Sequence, residues 1–102
     1  MRFGIVLVEG PSMVPTLRAG DCLVVCRGGG VHVGDVVVAR FRQRPSLLVV
    51  KRAVRPLDGG WDLASDNPAV EGYVLTRGLA DVEATVLLRY WPLPLRRVRR
   101  LS

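Results

Sequence analysis

Short runs of valine and leucine, each ended by glycine, proline or aspartate, recur along the whole chain. They favour strands, because β-branched residues are enriched in strands while Gly and Pro interrupt them. The strands that this pattern predicts span residues 3–8, 22–26, 36–41, 47–54, 61–64 and 82–91, with a short and weakly marked one at 73–75. No segment shows a convincing amphipathic helix. The pattern therefore predicts an all-β fold, a small barrel or sandwich of mostly antiparallel strands.

A basic stretch follows the last predicted strand, which Pro92 and Pro94 stop. Residues 93–102 carry four of the arginines behind the net charge of +6. The preceding part, 1–92, is long enough for one core and too short for two, so its core must line any active site. We interpret 93–102 as a basic tail, either solvated or in weak contact with an anionic membrane or nucleic acid.

The apolar run at residues 3–8 is far shorter than the ~20 residues with which a helix crosses a bilayer. We therefore expect neither a signal peptide nor a membrane anchor. Cys22 and Cys26 would share one strand face about 13 Å apart, which is too far for a disulfide. Reduced, largely buried thiols indicate a cytoplasmic protein, at most peripheral at a membrane. Since the lone His32 is remote in sequence, no metal or other cofactor is expected.

Ser12 and Lys51 are the residues that suggest chemistry. A serine hydroxyl is a poor nucleophile until a neighbouring base removes its proton, and histidine is the usual base. The one histidine, His32, stands in a glycine-flanked polar connection and is expected to be a plain surface side chain. A Ser-His-Asp triad is therefore disfavoured, and a neutral lysine is the alternative base.

Lys51 is the only lysine among fifteen basic residues. On a strand it shares a face with Leu47, Val49 and Ala53, while Arg52 lies opposite. Apolar surroundings favour the neutral amine, and arginine cannot replace lysine as a base because it does not deprotonate at usable pH. An edge-strand charge that discourages aggregation is the structural alternative.

Ser12 follows Gly10 and Pro11 in the loop after the first predicted strand. A turn serine or a helix cap is the ordinary interpretation of such a residue. Gly10 permits close approach of a substrate backbone, while Pro11 stiffens the loop and has no N–H. The amide of Ser12 is then the natural donor to an oxyanion, so the loop suits acyl transfer.

Several segments, taken in order, resemble the conserved boxes of the signal peptidase I superfamily. They are Gly-Pro-Ser-Met-Val-Pro-Thr-Leu at 10–17 with Gly20-Asp21, Gly-Asp-Val-Val at 34–37, Val-Lys-Arg-Ala-Val at 50–54, and Ser-Asp-Asn-Pro at 65–68. Residues 87–92 resemble the closing strand of short soluble members described as nickel-type superoxide dismutase maturation proteases. The resemblance covers nearly the whole chain.

This resemblance implies that Ser12 is the nucleophile and Lys51 the general base, with Gly10, Ser12 and Met13 as oxyanion and substrate-binding residues. It implies a compact, mostly antiparallel coiled β barrel of the LexA-type peptidase kind, which binds a precursor protein or peptide as an added strand. The implied reaction removes an N-terminal extension from a precursor, with nickel superoxide dismutase as the candidate. Nickel would enter through that substrate, since the chain offers no ligand cluster.

Two departures from the family concern the site. Members often carry a serine two residues before the nucleophile, where this chain has Gly10. The family's Asp-Ser-Arg stretch, whose serine orients the lysine, is not recognisable in 69–78, where Thr76 belongs to a degenerate remnant. The residue that orients Lys51 is therefore Ser65 or Thr76, and the sequence leaves both open.

Three other functions stay open. A general signal peptidase is the nearer one, although membrane-bound members carry an anchor before the catalytic segment and this sequence starts almost at that segment. An inactive relative that only binds peptides is the second. The third is a β barrel that binds nucleic acid through its basic surface. We do not favour it, because six aromatic residues offer little of the stacking platform that such barrels use.

Overall fold

The computed structural model describes residues 2–70 and 79–101. Its strands are β1 Arg2–Leu7, β2 Cys22–Arg27, β3 Val36–Phe41, β4 Leu48–Leu57, β5 Gly60–Ala64, β6 Ala80–Trp91 and β7 Arg96–Arg97. Within the described residues, the one helical element is the 3-10 turn Pro68–Val70, and no helix has the length and apolar character that a membrane crossing requires. The predicted all-β class is confirmed, while the strand predicted at 73–75 lies outside the described residues.

The strands form one antiparallel sheet that curls into a partial ring. Their order is β1-β2-β6-β3-β4-β5, and β5 returns to β6 where Trp61 pairs with Ala80. β6, the longest strand at 12 residues, pairs with β2, β3, β5 and β7. Register shifts between Val24 and Val25 and between Val38 and Ala39 add local bends, as bulges do. The mostly antiparallel architecture that we expected is therefore observed.

β3 separates two apolar clusters of the core. Val36 and Val38 pack with Met13 and Leu17 in the first cluster. Val37, Ala39 and Phe41 of the same strand pack in the second. Both faces of this strand are buried, which explains why its sequence is a continuous apolar run and not an alternating one. Each buried valine contributes roughly 1.5–3 kcal/mol relative to an exposed one. The core therefore fixes β3, against which the next strand, β4, is paired.

β6 begins two residues before the predicted strand. Ala80 is fully buried and pairs with Phe41 on one side and with Trp61 on the other. These are contacts between distant parts of the chain, which no local sequence pattern marks.

Residues 96–101, which we call the arginine segment, are attached to the barrel. Arg96 and Arg97 form β7 beside β6, and the Val98 N–H donates to the Leu87 carbonyl at 2.9 Å. The Val98 side chain packs against the first apolar cluster. The sequence predicts no strand here, because two arginines behind a proline-rich stretch carry no strand pattern.

Candidate active site

The loop between β1 and β2 that carries Ser12 is anchored in the core by its own apolar side chains. Met13 and Leu17 are each only 1% exposed. The Val14 N–H donates to the Pro11 carbonyl at 3.1 Å, and the Leu17 N–H donates to the Met13 carbonyl at 2.8 Å. Ser12 itself stays half-buried. The loop is therefore anchored to the core beneath the serine, and part of Ser12 remains exposed.

Gly10, two residues before the serine, has a φ of 78°. That left-handed conformation is unfavourable for residues with a Cβ, which explains the glycine at this position. A Cβ built there would meet nothing within 4 Å, so the space beside Gly10 is open. Of the other predicted oxyanion and substrate residues, Met13 directs its side chain into the core and also contributes to the wall of the groove described below.

A second loop, which follows β5, holds the serine loop in place. The Asn67 N–H donates to the Ser12 carbonyl at 2.9 Å, and Asn67 Nδ2 donates to the Pro11 carbonyl at 3.0 Å. Thr16 Oγ1 donates to Asp66 Oδ2. Loops that are far apart in sequence are thus joined by three hydrogen bonds around Ser12.

Lys51 lies on β4 opposite Val37 of β3 and is half-buried. Its Nζ donates to Ser65 Oγ at 2.8 Å. Ser65 directly follows β5, which pairs with β4, so the hairpin brings the serine back to the lysine. Of the two residues that the sequence left open as orienting groups, Ser65 thus contacts the amine, and Thr76 lies outside the described residues.

Ser12 and Lys51 line one groove of about 300 Å³ between the end of β1 and the start of β4. The other residues of its wall are mostly apolar: Val6, Leu7, Val8, Glu9, Met13, Leu47, Leu48, Val49 and Val50. β1 is an edge strand of the sheet, and residues 48–51 of β4 pair with β3 before the pairing with β5 begins at Arg52. Within residues 2–70 and 79–101, the outer edge of β1 and the second edge of residues 48–50 pair with no other strand. Such edges beside a groove are suited to an extended peptide.

A smaller cavity of about 150 Å³ shares Lys51 with the groove. Phe41, Leu47 and Val49 give it apolar walls, and Ser65 also lines it. Its volume suits a small side chain.

Arg52, the neighbour of Lys51, lies on the opposite face of β4 and is buried with 7% exposed. Its Nε and Nη2 donate to the two oxygens of Asp66, while Nη1 donates to the carbonyls of Gly34 at 2.9 Å and Arg99 at 3.1 Å. The strand pattern predicted the face on which Arg52 lies, but no role for its side chain. The alternation of the strand identifies the face, but not the partner.

The carboxyl of Asp66 is ionised at lower pH than usual. Burial opposes its ionisation, but the hydrogen bonds from Arg52 and Thr16 and the positive charge of Arg52 outweigh burial and hold its pKa below the ordinary range. The loop from Ser65 to Asn67 is therefore fixed by a charged, buried contact.

The remaining polar candidates lie away from the groove. His32 is exposed, as predicted, with its Nδ1 3.0 Å from Arg100 Nη2. Cys22 and Cys26 are free thiols, half-buried and buried respectively. Within residues 2–70 and 79–101, no three His, Cys, Asp or Glu side chains are grouped as metal ligands.

Comparisons with known proteins identify relatives of the chain. A family model described as Peptidase S24-like matches residues 2–87, which include both Ser12 and Lys51. The chain is also similar to mitochondrial inner membrane protease subunit 1 of Xenopus tropicalis, with 35% identity over 54 residues. That alignment covers 49% of this chain and 32% of the relative, so the chain spans about a third of the length of that protein.

Proposed function

The chain belongs to the Peptidase S24-like family, and we propose that it is a serine endopeptidase in which Ser12 is the nucleophile and Lys51 the general base. One observation carries this proposal. Ser12 and Lys51, which are far apart in sequence, line the same groove, and the lysine amine is held there by the hydroxyl of Ser65.

The proposed reaction has two steps. In the first, the neutral Lys51 amine takes the proton of Ser12 Oγ while that oxygen attacks the carbonyl carbon of the scissile peptide bond. The tetrahedral intermediate collapses to an ester on Ser12, and the leaving amine receives the proton from Lys51. In the second step, Lys51 takes a proton from water, the resulting hydroxide attacks the ester, and the proton returns to Ser12 as the acid product leaves.

The surroundings of Lys51 support its role as base. The groove and the adjoining cavity bring Leu47 and Val49 to the lysine, and such apolar surroundings favour the neutral amine. Ser65 Oγ accepts a hydrogen bond from Nζ, which limits the directions in which the amine can point. In this proposal Ser65 is the orienting residue.

The loop around Ser12 supports an oxyanion hole. Pro11 cannot donate a backbone hydrogen bond, and the next amide is that of Ser12 itself. The open space beside Gly10 allows the substrate carbonyl to approach that amide. The buried Met13 side chain keeps the loop in place while the carbonyl develops its charge.

The groove suits an extended peptide that adds as a strand between β1 and β4, with small apolar side chains directed into its walls. We propose a precursor protein as the substrate, from which an N-terminal extension is removed, and a nickel superoxide dismutase precursor as the first to test. The free thiols of Cys22 and Cys26 are compatible with a reducing, cytoplasmic location.

The experiment incubates the purified chain with that precursor and reads product masses. Ser12→Ala and Lys51→Arg are compared with the parent, since arginine keeps the positive charge but cannot act as a base. The exposed Ser46 provides a matched control, Ser46→Ala. We expect one cleavage site for the parent and for the control, and no product from the two site variants.

Equal cleavage by the parent and by Ser12→Ala would refute the proposed nucleophile. If neither the parent nor any variant cleaves the precursor, but all of them bind its extension with the same affinity, the chain is a peptide-binding relative and not an enzyme. Cleavage of unrelated secretory precursors at comparable rates would instead identify a general signal peptidase.

A further inference from the structure

The arginine segment contacts the face of β4 behind the groove. The Arg99 carbonyl accepts a hydrogen bond from Arg52 Nη1 at 3.1 Å. Arg100 Nε donates to Asp35 Oδ1 at 2.6 Å, and the Leu101 N–H donates to the Gly34 carbonyl at 3.0 Å. Arg99 therefore contacts the guanidinium of Arg52, while Arg100 and Leu101 contact the turn before β3.

That turn is itself bonded to β4 close to the lysine. The Gly34 N–H donates to the Ala53 carbonyl, and the Ala53 N–H donates to the Asp35 carbonyl, both at 2.8 Å. A Cβ on Gly34 would lie 1.6 Å from the Leu101 carbonyl oxygen, so glycine is required for the segment to approach. The arginine segment, the turn and β4 are thus in direct contact.

Arg52 passes these contacts on to the groove. Its guanidinium binds both oxygens of Asp66. Asp66 lies between Ser65 and Asn67 in the sequence. Ser65 accepts the hydrogen bond from Lys51. Asn67 donates to the carbonyls of Pro11 and Ser12. The buried side chain of Arg52 therefore connects the arginine segment to the loop that contacts both Lys51 and the backbone at Ser12.

We propose that the arginine segment is a positioning strap that sets Arg52, which holds the Ser65–Asn67 loop against Lys51 and Ser12. It acts on Arg52 directly through the Arg99 carbonyl, and indirectly through Arg100, whose side chain holds Asp35 in the turn whose Gly34 carbonyl accepts from Arg52. The inference rests on the proposed function for its catalytic consequence only. It gives Arg100 a role within the molecule, in contrast to a solvated or lipid-binding tail. Arg96 and Arg97 are exposed and join β6 through their backbones, so they are not part of the strap contacts described.

The test uses the fact that Lys51 is the only lysine. Protein labelled with ¹³C-lysine gives a single side-chain Cε signal, which reports the surroundings and titration of that amine without any substrate. The signal is followed against pH in the parent and in Arg100→Ala, Leu101→Pro and Arg97→Ala. Leu101→Pro removes the N–H that binds Gly34, and Arg97→Ala is the matched control.

We expect the Cε shift and the titration midpoint of Lys51 to move in Arg100→Ala and Leu101→Pro but not in Arg97→Ala. Arg100→Lys, which keeps one charged donor for Asp35, should restore most of the parent signal. In precursor cleavage, the two strap variants should lose roughly tenfold to a hundredfold in kcat with little change in KM, because small misplacements of reacting groups have costs of that size.

Two readouts separate this inference from the proposed function. An unmoved lysine signal in folded Arg100→Ala would overturn the strap, whether or not the parent cleaves the precursor. If the lysine signal moves in Arg100→Ala and Leu101→Pro while the parent itself cleaves no precursor, the strap is supported and the peptidase is not. Arg100 is half-exposed at its side chain, so Arg100→Ala is expected to fold, which circular dichroism verifies. A lowered melting temperature with an unmoved lysine signal would reduce the contacts to general stability and also overturn the strap.

Discussion

The arginine–aspartate pairs Arg42–Asp81 and Arg52–Asp66 both join distant parts of this molecule, and burial is the main difference between them. Arg42 Nη2 lies 2.7 Å from Asp81 Oδ1, with 43% and 57% of the two side chains exposed. Arg52 pairs with Asp66 through the same kind of two-oxygen contact, with 9% and 14% exposed. Because both pairs join the same two types of side chain, a difference in their contribution to stability would report the difference in their burial.

The difference in burial predicts that the folded state depends more on the buried pair than on the exposed one. Water and salt screen the exposed pair, and either partner can be solvated when the other is lost. The buried pair has no such substitute, because removing one partner leaves a charge in a poorly solvated place. Of these two pairs, only the buried one adjoins Ser65 and Asn67. Its loss should therefore lower both the free energy of unfolding and the rate of the proposed cleavage.

The largest effect is expected when the buried pair is broken. Arg52→Ala leaves the Asp66 carboxylate without its partner, which typically has a cost of about 3–5 kcal/mol. Urea unfolding should show a much lower midpoint, and precursor cleavage should fall with it. A midpoint within error of the parent would show that the carboxylate is solvated, and the contrast with Arg42 would disappear.

A second expectation separates positioning from stability at the same loop. Ser65→Ala removes the acceptor for Lys51 but leaves Arg52 and Asp66 in place, so cleavage should fall roughly tenfold to a hundredfold while urea stability stays close to that of the parent. Ser65→Thr keeps a hydroxyl and should recover part of the rate. Full activity of Ser65→Ala would transfer the orienting role to another residue.

A third expectation concerns acid. The folded-state pKa of Asp66 lies below its unfolded value of about 3.9, so the unfolded chain binds the proton more readily. The stabilisation is therefore fully present above about pH 4 and is lost as pH falls through the folded pKa. Urea midpoints between pH 7 and pH 2 should show this loss, and Asp66→Asn should remove most of it. If Asp66→Asn keeps the whole loss, other carboxyls account for it.

The smallest effect is expected at the exposed pair. The hydrogen bond from Arg42 is the largest cause that holds the pKa of Asp81 below its usual range, but water replaces that contact when Arg42→Ala removes it. Urea midpoints and cleavage rates should stay close to those of the parent, with any difference shrinking in high salt. A loss comparable to that of Arg52→Ala would show that burial does not distinguish the two pairs.

The sequence predicted the strands best where both of their ends are marked. β3 was predicted at its observed bounds, because Gly34-Asp35 precedes it and polar residues follow its apolar run. The start of β6 was missed, since Ala80 is a strand residue only through its partners Phe41 and Trp61. β7 was missed for the same reason, since its pairing with β6 is a contact across the fold.

The candidate site shows the same difference between residues that a local pattern marks and contacts that form across the fold. Sequence chemistry selected Ser12 and Lys51, whose catalytic roles stay a prediction, and it left the orienting residue open. The contact between Lys51 and Ser65 spans 14 positions, and it depends on the pairing of β4 with β5. The pair of Arg52 and Asp66 received no role in the sequence analysis, because a strand pattern gives the direction of a side chain and not its partner.

By itself, the sequence determined the all-β class, most strand positions and the two residues with candidate chemistry, because these follow from local patterns of side chains along the chain. Only the tertiary structure decided that Ser12 and Lys51 share a groove, that Ser65 contacts the lysine, and that the arginine segment reaches Arg52. A hydrogen bond requires its atoms to be within about 3 Å. For residues far apart in sequence, the register of the sheet and the packing of its core set that distance.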